Sequence, residues 1–443
     1  MQRRTVLSGL AAVAATRWSG GAYADGPVRV NAGRLRRRLE ELSVFGRPPG
    51  GTFADGVSRT GFSEADVAAR AYVLDQMRAI GLAPGVDAAG NIRGLRAGTD
   101  AGAKPILFGS HIDSVRGGGN FDGDVGSMGA LEVAATLEEN AVRTRHPLEV
   151  VIWAAEESNF GSGLHGSRMA VGQLEAGEWD RVQDGLRKGD ALRRIGGDPD
   201  RIAEARRAPG SFHAYLELHI EQGGTLFREG VPIGVVEGIV TIDDYDVTVR
   251  GFANHAGTTP MAGRRDALVA ASRVVLAVRE IATGEPGAQV GTVGQMSVAP
   301  GAPNVVPGLV RMTVEFRDLS GEKVTRLGQA LKERAAAIAR ETSVEIEVAH
   351  SSRHEGARAH PAVQAAIEKA AGRLGLRHRR LPSGAGHDAQ MMARLGPMGM
   401  IFVPSVEGIS HSPRELSRWE DCARGADVLL ATILELDGTD RIA

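Results

Sequence analysis

Short apolar segments alternate with helical segments along this chain, and that alternation constrains the fold more than any other feature of the sequence. Residues 106–108 and 148–154 form largely apolar runs, which are typical of strands covered on both faces. Between them, residues 125–139 have the periodicity of a helix. Strands that alternate with helices form mainly parallel sheets, so the sequence predicts an α/β protein with a mainly parallel sheet.

The pattern changes near Thr241, and the change predicts a second, smaller domain. The next segments have the order strand, helix, strand, strand, helix, strand, which resembles a ferredoxin-like α+β unit. These segments are residues 246–250, 265–281, 289–298, 310–316, 322–340 and 344–348. After residue 360 the helix–strand alternation returns. We therefore predict a catalytic domain of residues 25–241 and 358–443, with residues 242–357 inserted as a small dimerisation or lid domain.

The amino-terminal segment, residues 1–24, has the organisation of an export signal. Two arginines at positions 3 and 4 precede an apolar run at 6–15, and Ala-Tyr-Ala at 22–24 is a small-x-small cleavage site. The arginine pair resembles a twin-arginine signal, with a general secretory signal or an uncleaved helix as the alternatives. The apolar run is too short to span a bilayer. We expect a periplasmic or secreted mature protein without a membrane span.

Charge and cysteine content exclude several kinds of partner and site. The net charge is −2 at pH 7, so nothing in the sequence indicates nucleic acid or an anionic membrane surface as a partner. Cys422 is the only cysteine, so neither an intrachain disulfide nor a cysteine metal cluster is possible. Any bound metal must therefore have His, Asp and Glu ligands.

The first motif suited to chemistry is Gly-Ser-His-Ile-Asp-Ser-Val at 109–115, which continues through a glycine-rich stretch to Asp122. His111 follows the strand at 106–108, and open α/β sheets place their sites at such carboxyl ends. Asp113 lies on the same side of an extended chain and could hold the other imidazole nitrogen. The glycines allow the loop to fold back and bring Asp122 close to His111.

Three further motifs complete the candidate site. Glu156 and Glu157 follow the apolar segment at 148–154, where two carboxylates are costly unless they are paired or bind a metal. One of them could ligate a metal while the other acts as a base. His219 lies in Glu-Leu-His-Ile-Glu-Gln-Gly, and His411 lies in Gly-Ile-Ser-His-Ser-Pro-Arg-Glu. Each motif taken alone has an ordinary structural explanation.

Together the four motifs resemble the amidase/hydantoinase/carbamoylase group of the dizinc exopeptidase superfamily. That group includes N-carbamoyl-L-amino acid hydrolases, β-ureidopropionases and allantoate amidohydrolases. The resemblance runs from Gly51 to about Leu434 and includes the intervals 122 − 111 = 11 from His to Asp and 157 − 122 = 35 from Asp to Glu. It implies the dizinc exopeptidase-like fold for the catalytic domain.

The resemblance also implies a site for two divalent metal ions in each subunit. Asp122 would bridge the two ions, and the remaining ligands would be His111 and His219 on one ion and Glu157 and His411 on the other. Zinc is the expected metal, and Mn, Co and Ni accept the same ligands.

Catalytic and substrate-binding residues follow from the same resemblance. Glu156 matches the general base. Asn304 and Arg317 match positions that bind a substrate carboxylate, and the arginine fork suits that group. His255 resembles a residue that stabilises the oxyanion from the partner subunit, which implies a homodimer joined through the small domain. Other matching pocket positions are Gln222 and His387.

The activity implied is hydrolysis of an N-carbamoyl-L-amino acid to the amino acid, ammonia and carbon dioxide. Allantoate amidohydrolase or β-ureidopropionase activity is the nearest alternative. A metallo-exopeptidase or aminoacylase would need an acidic third ligand, for which Asp180 is available. A non-catalytic binding protein of this fold would have lost ligands or base, and none is missing. The chain departs from the group at 156–161, where Glu-Glu-Ser-Asn-Phe-Gly replaces the common Glu-Glu-Gly-Ser/Ala-Arg-Phe.

Overall fold

A computed structural model describes residues 28–440 and 442. The predicted export signal, residues 1–24, lies outside the described residues and stays a prediction. Among the described residues, no helix combines the length and the apolar character that crossing a bilayer requires.

Helices and short strands alternate through most of the chain. The helices are α1 (Ala32–Leu42), α2 (Glu64–Ala79), α3 (Asp124–Glu139), α4 (His165–Ala170), α5 (Lys188–Arg194), α6 (Thr225–Glu229), α7 (Ala267–Thr283), α8 (Gly321–Thr342), α9 (Pro361–Arg373), α10 (Asp388–Met392) and α11 (Trp419–Asp437). The strands are β1 (Ala83–Val86), β2 (Ile92–Arg96), β3 (Ile106–His111), β4 (Leu148–Trp153), β5 (Val182–Gln183), β6 (Leu186–Arg187), β7 (Ala214–Ile220), β8 (Ile233–Ile239), β9 (Thr241–Arg250), β10 (Asn254–His255), β11 (Val290–Ala299), β12 (Val305–Val306), β13 (Leu309–Asp318), β14 (Glu345–His354), β15 (Ala357–Arg358), β16 (His378–Ser383) and β17 (Met398–Val403).

A central sheet of nine strands organises the larger part of the described chain. Its strands follow the order β1-β2-β4-β3-β7-β17-β8-β15, and β16 pairs with β8. The middle strands β4, β3, β7 and β17 are parallel to one another. Antiparallel pairs stand at both ends, β1 with β2 and β15 with β8. The prediction of a mainly parallel central sheet is confirmed.

Apolar side chains cover both faces of the central sheet. Ile106 and Phe108 point to one face, where they pack in a cluster with residues of α1, α2, α3, α9 and α11. Leu107 points to the other face and packs with residues of α10. Every residue of β3, β4, β7 and β17 is buried as a result. Because the faces are closed, polar groups can reach a substrate only where these strands end.

A second, antiparallel sheet occupies residues 241–354. Its strand order is β11-β13-β9-β14, and its elements follow the chain as β9-α7-β11-β13-α8-β14, the order that the sequence predicts. Both helices pack on one face through a separate apolar cluster that includes Val274, Phe316 and Leu331. The division into domains at 242 and 357 stays a prediction.

Several elements escaped the sequence analysis. Helix α11 and strand β7 were not predicted. All seven residues of β7 are buried, Glu217 and His219 included, although residues 216–220 alternate between apolar and polar types. Strand β9 begins at Thr241, five residues before the predicted start at 246. Its early acidic positions are paired rather than exposed, since Asp243 accepts a hydrogen bond from Arg353 at 2.9 Å.

Helix α3 approaches β7 so closely that only glycine fits at one contact. A Cβ atom at Gly126 would overlap the carbonyl oxygen of Leu218 and press on the side chain of Ser110. This contact sets the distance between α3, which begins just after Asp122, and β7, which carries His219.

We predict opposite effects for two helical glycine-to-alanine substitutions. Gly126→Ala should destabilise the protein by about 1–3 kcal/mol, the usual cost of overpacking. Gly372→Ala, on an exposed position of α9 with open space around it, should stabilise it by up to about 1 kcal/mol through helix propensity. Thermal or urea unfolding of both variants measures the difference. An unchanged or raised melting temperature for Gly126→Ala would contradict the close packing.

Candidate metal centre and active site

The carboxyl ends of three parallel strands meet at the candidate site. His111 is the last residue of β3, and β3 pairs with both β4 and β7. Glu156 and Glu157 follow the end of β4, and His219 is the penultimate residue of β7. The parallel pairing therefore brings together side chains that lie up to 108 positions apart, counted from 111 to 219.

Asp122 stands at the centre of the site, with its two oxygen atoms facing different groups. Oδ1 lies 3.1 Å from Nε2 of His219 and 3.6 Å from Nε2 of His111. Oδ2 lies 3.3 Å from Nε2 of His411, which is in turn 3.4 Å from Oε1 of Glu157. The two sets, each with ligand atoms within 4.8 Å of one another, share only Asp122.

Hydrogen bonds to a buried glutamate hold the loop that carries Asp122 in place. Glu415 is buried, and its Oε1 accepts hydrogen bonds from the backbone N–H groups of Phe121 and Asp122 at 3.0 and 3.1 Å. Ser410 donates to Oε2 of Glu415 at 2.8 Å and lies 3.1 Å from Oδ2 of Asp122. Gly123, with φ of 68°, is required because a Cβ atom there would overlap the ring of His111.

Asp113 holds the site differently from the sequence prediction. Its backbone oxygen, not its carboxylate, contacts Nδ1 of His111, at 3.0 Å. The carboxylate instead accepts hydrogen bonds from the backbone N–H groups of Glu156 and Glu157, at 3.0 and 3.1 Å. The nearest carboxylate oxygen is 3.7 Å from Nδ1 of His111. Asp113 therefore joins the end of β3 to the turn that carries the Glu pair.

Three residues at the site adopt left-handed backbone conformations that non-glycine residues rarely occupy. Ala155 has φ of 50°, Gln222 has φ of 58° and His411 has φ of 53°. Such a conformation costs roughly 1–2 kcal/mol per residue. The surrounding structure sustains this cost, and strain of this kind is concentrated at functional sites.

Burial and crowding change the protonation equilibria of the site. Burial lowers the pKa of His219, but its hydrogen bond to Asp122 and the charge of that carboxylate raise the net pKa to about 9. The hydrogen bond to Asp122 likewise raises the pKa of His411 to about 9. Burial, then the charge of Asp122, raises the pKa of Glu157 to about 7. Burial and the nearby carboxylates raise the pKa of Glu156 well above its usual range.

The arrangement fits divalent cations. Imidazole nitrogens and carboxylate oxygens are ligands that zinc and similar metals accept. A carboxylate with one oxygen toward each donor set can be shared between two ions. The crowding of Asp122, Glu156 and Glu157 is unfavourable without positive charge, and metal binding would relieve it. Asp180, the alternative ligand, is exposed, pairs with Arg187 and is absent from both sets.

A cavity of about 1080 Å³ opens over the ligand sets and contains three of the predicted substrate residues. Gln222 donates from Nε2 to Oδ2 of Asp122 at 2.7 Å. His387 is buried, with ring centroid 4.4 Å from that of His219. Arg317 lines the cavity, where Nε is 2.6 Å from Oε1 of Glu315 and Nη1 donates to the backbone oxygen of Gly384.

The structure does not bring His255 and Asn304 to the cavity of the same chain. His255 is exposed on β10, where Nδ1 accepts hydrogen bonds from the backbone N–H groups of Gly257 and Thr258. The backbone oxygen of Asn304 accepts from Ala256 at 2.8 Å, so the two residues are neighbours in the smaller sheet region. Their predicted roles at the site stay predictions.

Sequence reasoning missed Glu415 and Ser410, although both lie in the quoted motif around His411. No periodic sequence pattern distinguishes a buried glutamate that lies four residues after a metal ligand. Its function is visible only in its contact with Asp122, 293 positions away along the chain.

Comparison with known proteins places this geometry in a family. Residues 107–435 match the family described as peptidase family M20/M25/M40. The chain belongs to this family. It is 42% identical to the N-carbamoyl-L-amino acid amidohydrolase of Geobacillus stearothermophilus, over 91% of this chain and 98% of the relative. It is 35% identical to the ureidoglycolate hydrolase of Arabidopsis thaliana, over 92% and 87%.

Solved structures agree with this assignment. An amidase of the hydantoinase/carbamoylase family from Burkholderia multivorans has a TM-score of 0.86 and 37% identity, covering 93% of this chain and 99% of that chain. The resemblance inferred from the four motifs is confirmed. This M20-family chain is therefore an amidohydrolase-type enzyme with residues suited to divalent metal.

We predict that Glu415→Gln weakens metal binding. The substitution keeps the size of the side chain but removes the charge and an acceptor that hold the Asp122 loop. Loss of such a supporting contact typically costs roughly 10–100-fold in metal affinity. Competition with a chromophoric chelator measures the affinity. Glu407→Gln, at a side chain that is 64% exposed, is the matched control. Equal affinities in the two variants would show that Glu415 does not position the ligands.

Proposed function

We propose that this M20-family enzyme hydrolyses N-carbamoyl-L-amino acids to the amino acid, ammonia and carbon dioxide. The observation that carries the proposal is the carboxylate of Asp122, whose two oxygens face two donor sets with Glu156 beside them. The 42% sequence identity to the N-carbamoyl-L-amino acid amidohydrolase of Geobacillus stearothermophilus supports the substrate class. Ureidoglycolate-type hydrolysis is the second candidate, favoured by the plant relative.

We propose two divalent ions, with zinc as the expected metal. One ion would be held by His111, His219 and Asp122, and the other by Asp122, Glu157 and His411. Bound there, divalent ions would polarise the ureido carbonyl and lower the pKa of water.

The residues of the chain supply positioning and proton transfer. Glu156 lies beside the first set with 11% of its side chain exposed, and its Oε2 is 3.8 Å from Nε2 of His111. It would accept a proton from the attacking water and deliver it to the nitrogen that leaves, as the carbamoyl C–N bond breaks. Arg317 would bind the α-carboxylate with the Nη1 and Nη2 hydrogens that Glu315 and the backbone oxygen of Gly384 leave free. Asn304 and His255 would act from the partner subunit.

The surface of the smaller sheet region supports a homodimer. Strand β11 is an edge strand, with Val290 50% and Met296 39% exposed. Helix α7 exposes Val269 and Leu276 nearby. Exposed apolar groups beside an unpaired strand edge favour association between copies.

Light scattering measures whether the protein forms the proposed dimer. A monomer at all concentrations would contradict a site shared between two subunits. Cell fractionation tests the proposed periplasmic or secreted location.

The substrate proposal is tested by ammonia release. We expect purified enzyme, reloaded with Zn, Mn, Co or Ni, to hydrolyse N-carbamoyl-L-amino acids in preference to allantoate, ureidoglycolate and dipeptides. The D-enantiomers are the matched control, since a site that orients both the carboxylate and the ureido group should discriminate between them. Hydrolysis of dipeptides alone would refute the proposal.

Two variants separate the base from the ligands. Glu156→Gln should retain metal but lose roughly 10²–10⁴-fold in kcat, the usual contribution of general acid–base catalysis. His219→Ala should lose about one of the two metal ions per subunit, because imidazole is a main ligand of that set. Elemental analysis and single-turnover kinetics measure both, with the exposed Glu40→Gln as control. Substantial turnover by Glu156→Gln would reject the base, and full metal content in His219→Ala would reject the ligand.

A further inference from the structure

The wall of the cavity beyond the metal ligands carries an unbalanced positive charge. Five arginines line it, and three of them have carboxylate partners. Arg168 pairs with Glu178 at 2.6 Å, Arg317 with Glu315 at 2.6 Å and Arg353 with Asp243 at 2.9 Å. The other two are Arg358 and Arg394.

Arg358 and Arg394 have no side-chain hydrogen bond or ion pair with any residue from 28 to 440. Both are exposed to the cavity side of the molecule. The acidic residues of the wall outside the metal site do not neutralise them. Glu175 pairs with Arg181, and Glu355 pairs with Arg353. Two guanidinium groups are thus available to an anion that enters the cavity.

Both arginines stand on elements that adjoin the metal site. Arg358 lies on β15, next to Ala357, which pairs with Ile239; Ile239 also pairs with Ser383. The hydroxyl of Ser383 is 2.9 Å from Nε2 of His387, the residue that packs against His219.

A short helix, α10, connects Arg394 to His387. His387 is the N-cap of α10, and Arg394 follows the end of that helix. Seven residues at the helical rise correspond to about 10 Å between the two positions. Met391 of α10 and Ala357 of β15 belong to one apolar cluster, so the elements carrying Arg358 and Arg394 are packed together.

We propose that Arg358 and Arg394 form an anion subsite that binds the side-chain carboxylate of an acidic ureido acid. This inference rests on the proposed function and narrows its substrate class to N-carbamoyl derivatives of dicarboxylic amino acids, such as glutamate. Arg317 would hold the α-carboxylate, so the second carboxylate needs its own cations. Arginine suits this group because its planar fork donates two parallel hydrogen bonds. Val240 and Met391, which also line the cavity, can pack on the methylene groups between the two carboxylates.

The test compares N-carbamoyl-L-glutamate with its neutral isostere N-carbamoyl-L-glutamine. The wild-type enzyme should show a kcat/KM ratio of about 10 or more in favour of glutamate, since each charge-assisted hydrogen bond contributes roughly tenfold. In Arg358→Gln/Arg394→Gln the ratio should fall to about 1, mainly through KM on the acidic substrate, as expected for lost uniform binding. The wild-type ratio should also decrease with added salt. Arg201→Gln, an exposed arginine outside the cavity that pairs with Glu204, should keep the wild-type ratio.

Equal losses on both substrates would assign the two arginines a structural role and overturn the subsite, as would an unchanged ratio.

A binding measurement separates a failure of this inference from a failure of the proposed function. Calorimetry with Glu156→Gln measures the affinity for both compounds without turnover. If the wild-type enzyme hydrolyses other N-carbamoyl-L-amino acids but neither of these two, the inference alone fails; if it hydrolyses no N-carbamoyl-L-amino acid, the proposed function fails. The subsite then stands only if glutamate binds more tightly than glutamine and loses that preference when Arg358 and Arg394 are replaced in the same background.

Discussion

The placement of one carboxylate, that of Asp122, is the constraint on which the site depends. Each of its oxygens must face a different set of ligands, and a rotation of the side chain would break both sets at once. Glu415 fixes the backbone of the loop, and Ser410 and Gln222 hold the carboxylate itself. The absent side chain at Gly123 lets the loop reach the ring of His111. The central parallel sheet supplies the frame in which these contacts are possible.

The site concentrates charge that burial makes costly. Asp113, Asp122, Glu156 and Glu157 lie within one buried region, and the pKa of Glu156 is raised by burial and by its acidic neighbours. Backbone N–H groups offset part of this cost, since those of Glu156 and Glu157 bind Asp113. Metal ions would offset the rest. Buried like charges and strained backbone both reduce folding stability. Their presence in one region therefore indicates selection for function.

The cavity adds a second level of recognition above the metal ligands. Most charged side chains of its wall are neutralised by partners behind it, as Arg168 is by Glu178. For Arg168 and Arg353, whose partners are Glu178 and Asp243, this pairing indicates a structural role. Arg358 and Arg394 are the exceptions within the described part of the chain, residues 28–440, and their guanidinium groups are available to an anionic ligand. His255 and Asn304 lie on a different surface, outside the cavity.

The sequence by itself determined the alternating fold, the order of elements in the smaller sheet region and the candidate ligands that the structure brings together. Apolar runs predicted where strands end, polar residues at those ends, such as His111 and Glu157, became candidates, and the resemblance of the four motifs together assigned their roles. The buried strand β7 was not predicted, although apolar and polar residues alternate along part of it. Only the tertiary structure decided that Asp113 contacts His111 through its backbone oxygen, that Glu415 supports Asp122 and that the Arg358 side chain has no partner among residues 28–440. The physical reason is that these features are distances between segments far apart in the chain, and local periodicity contains no information about them.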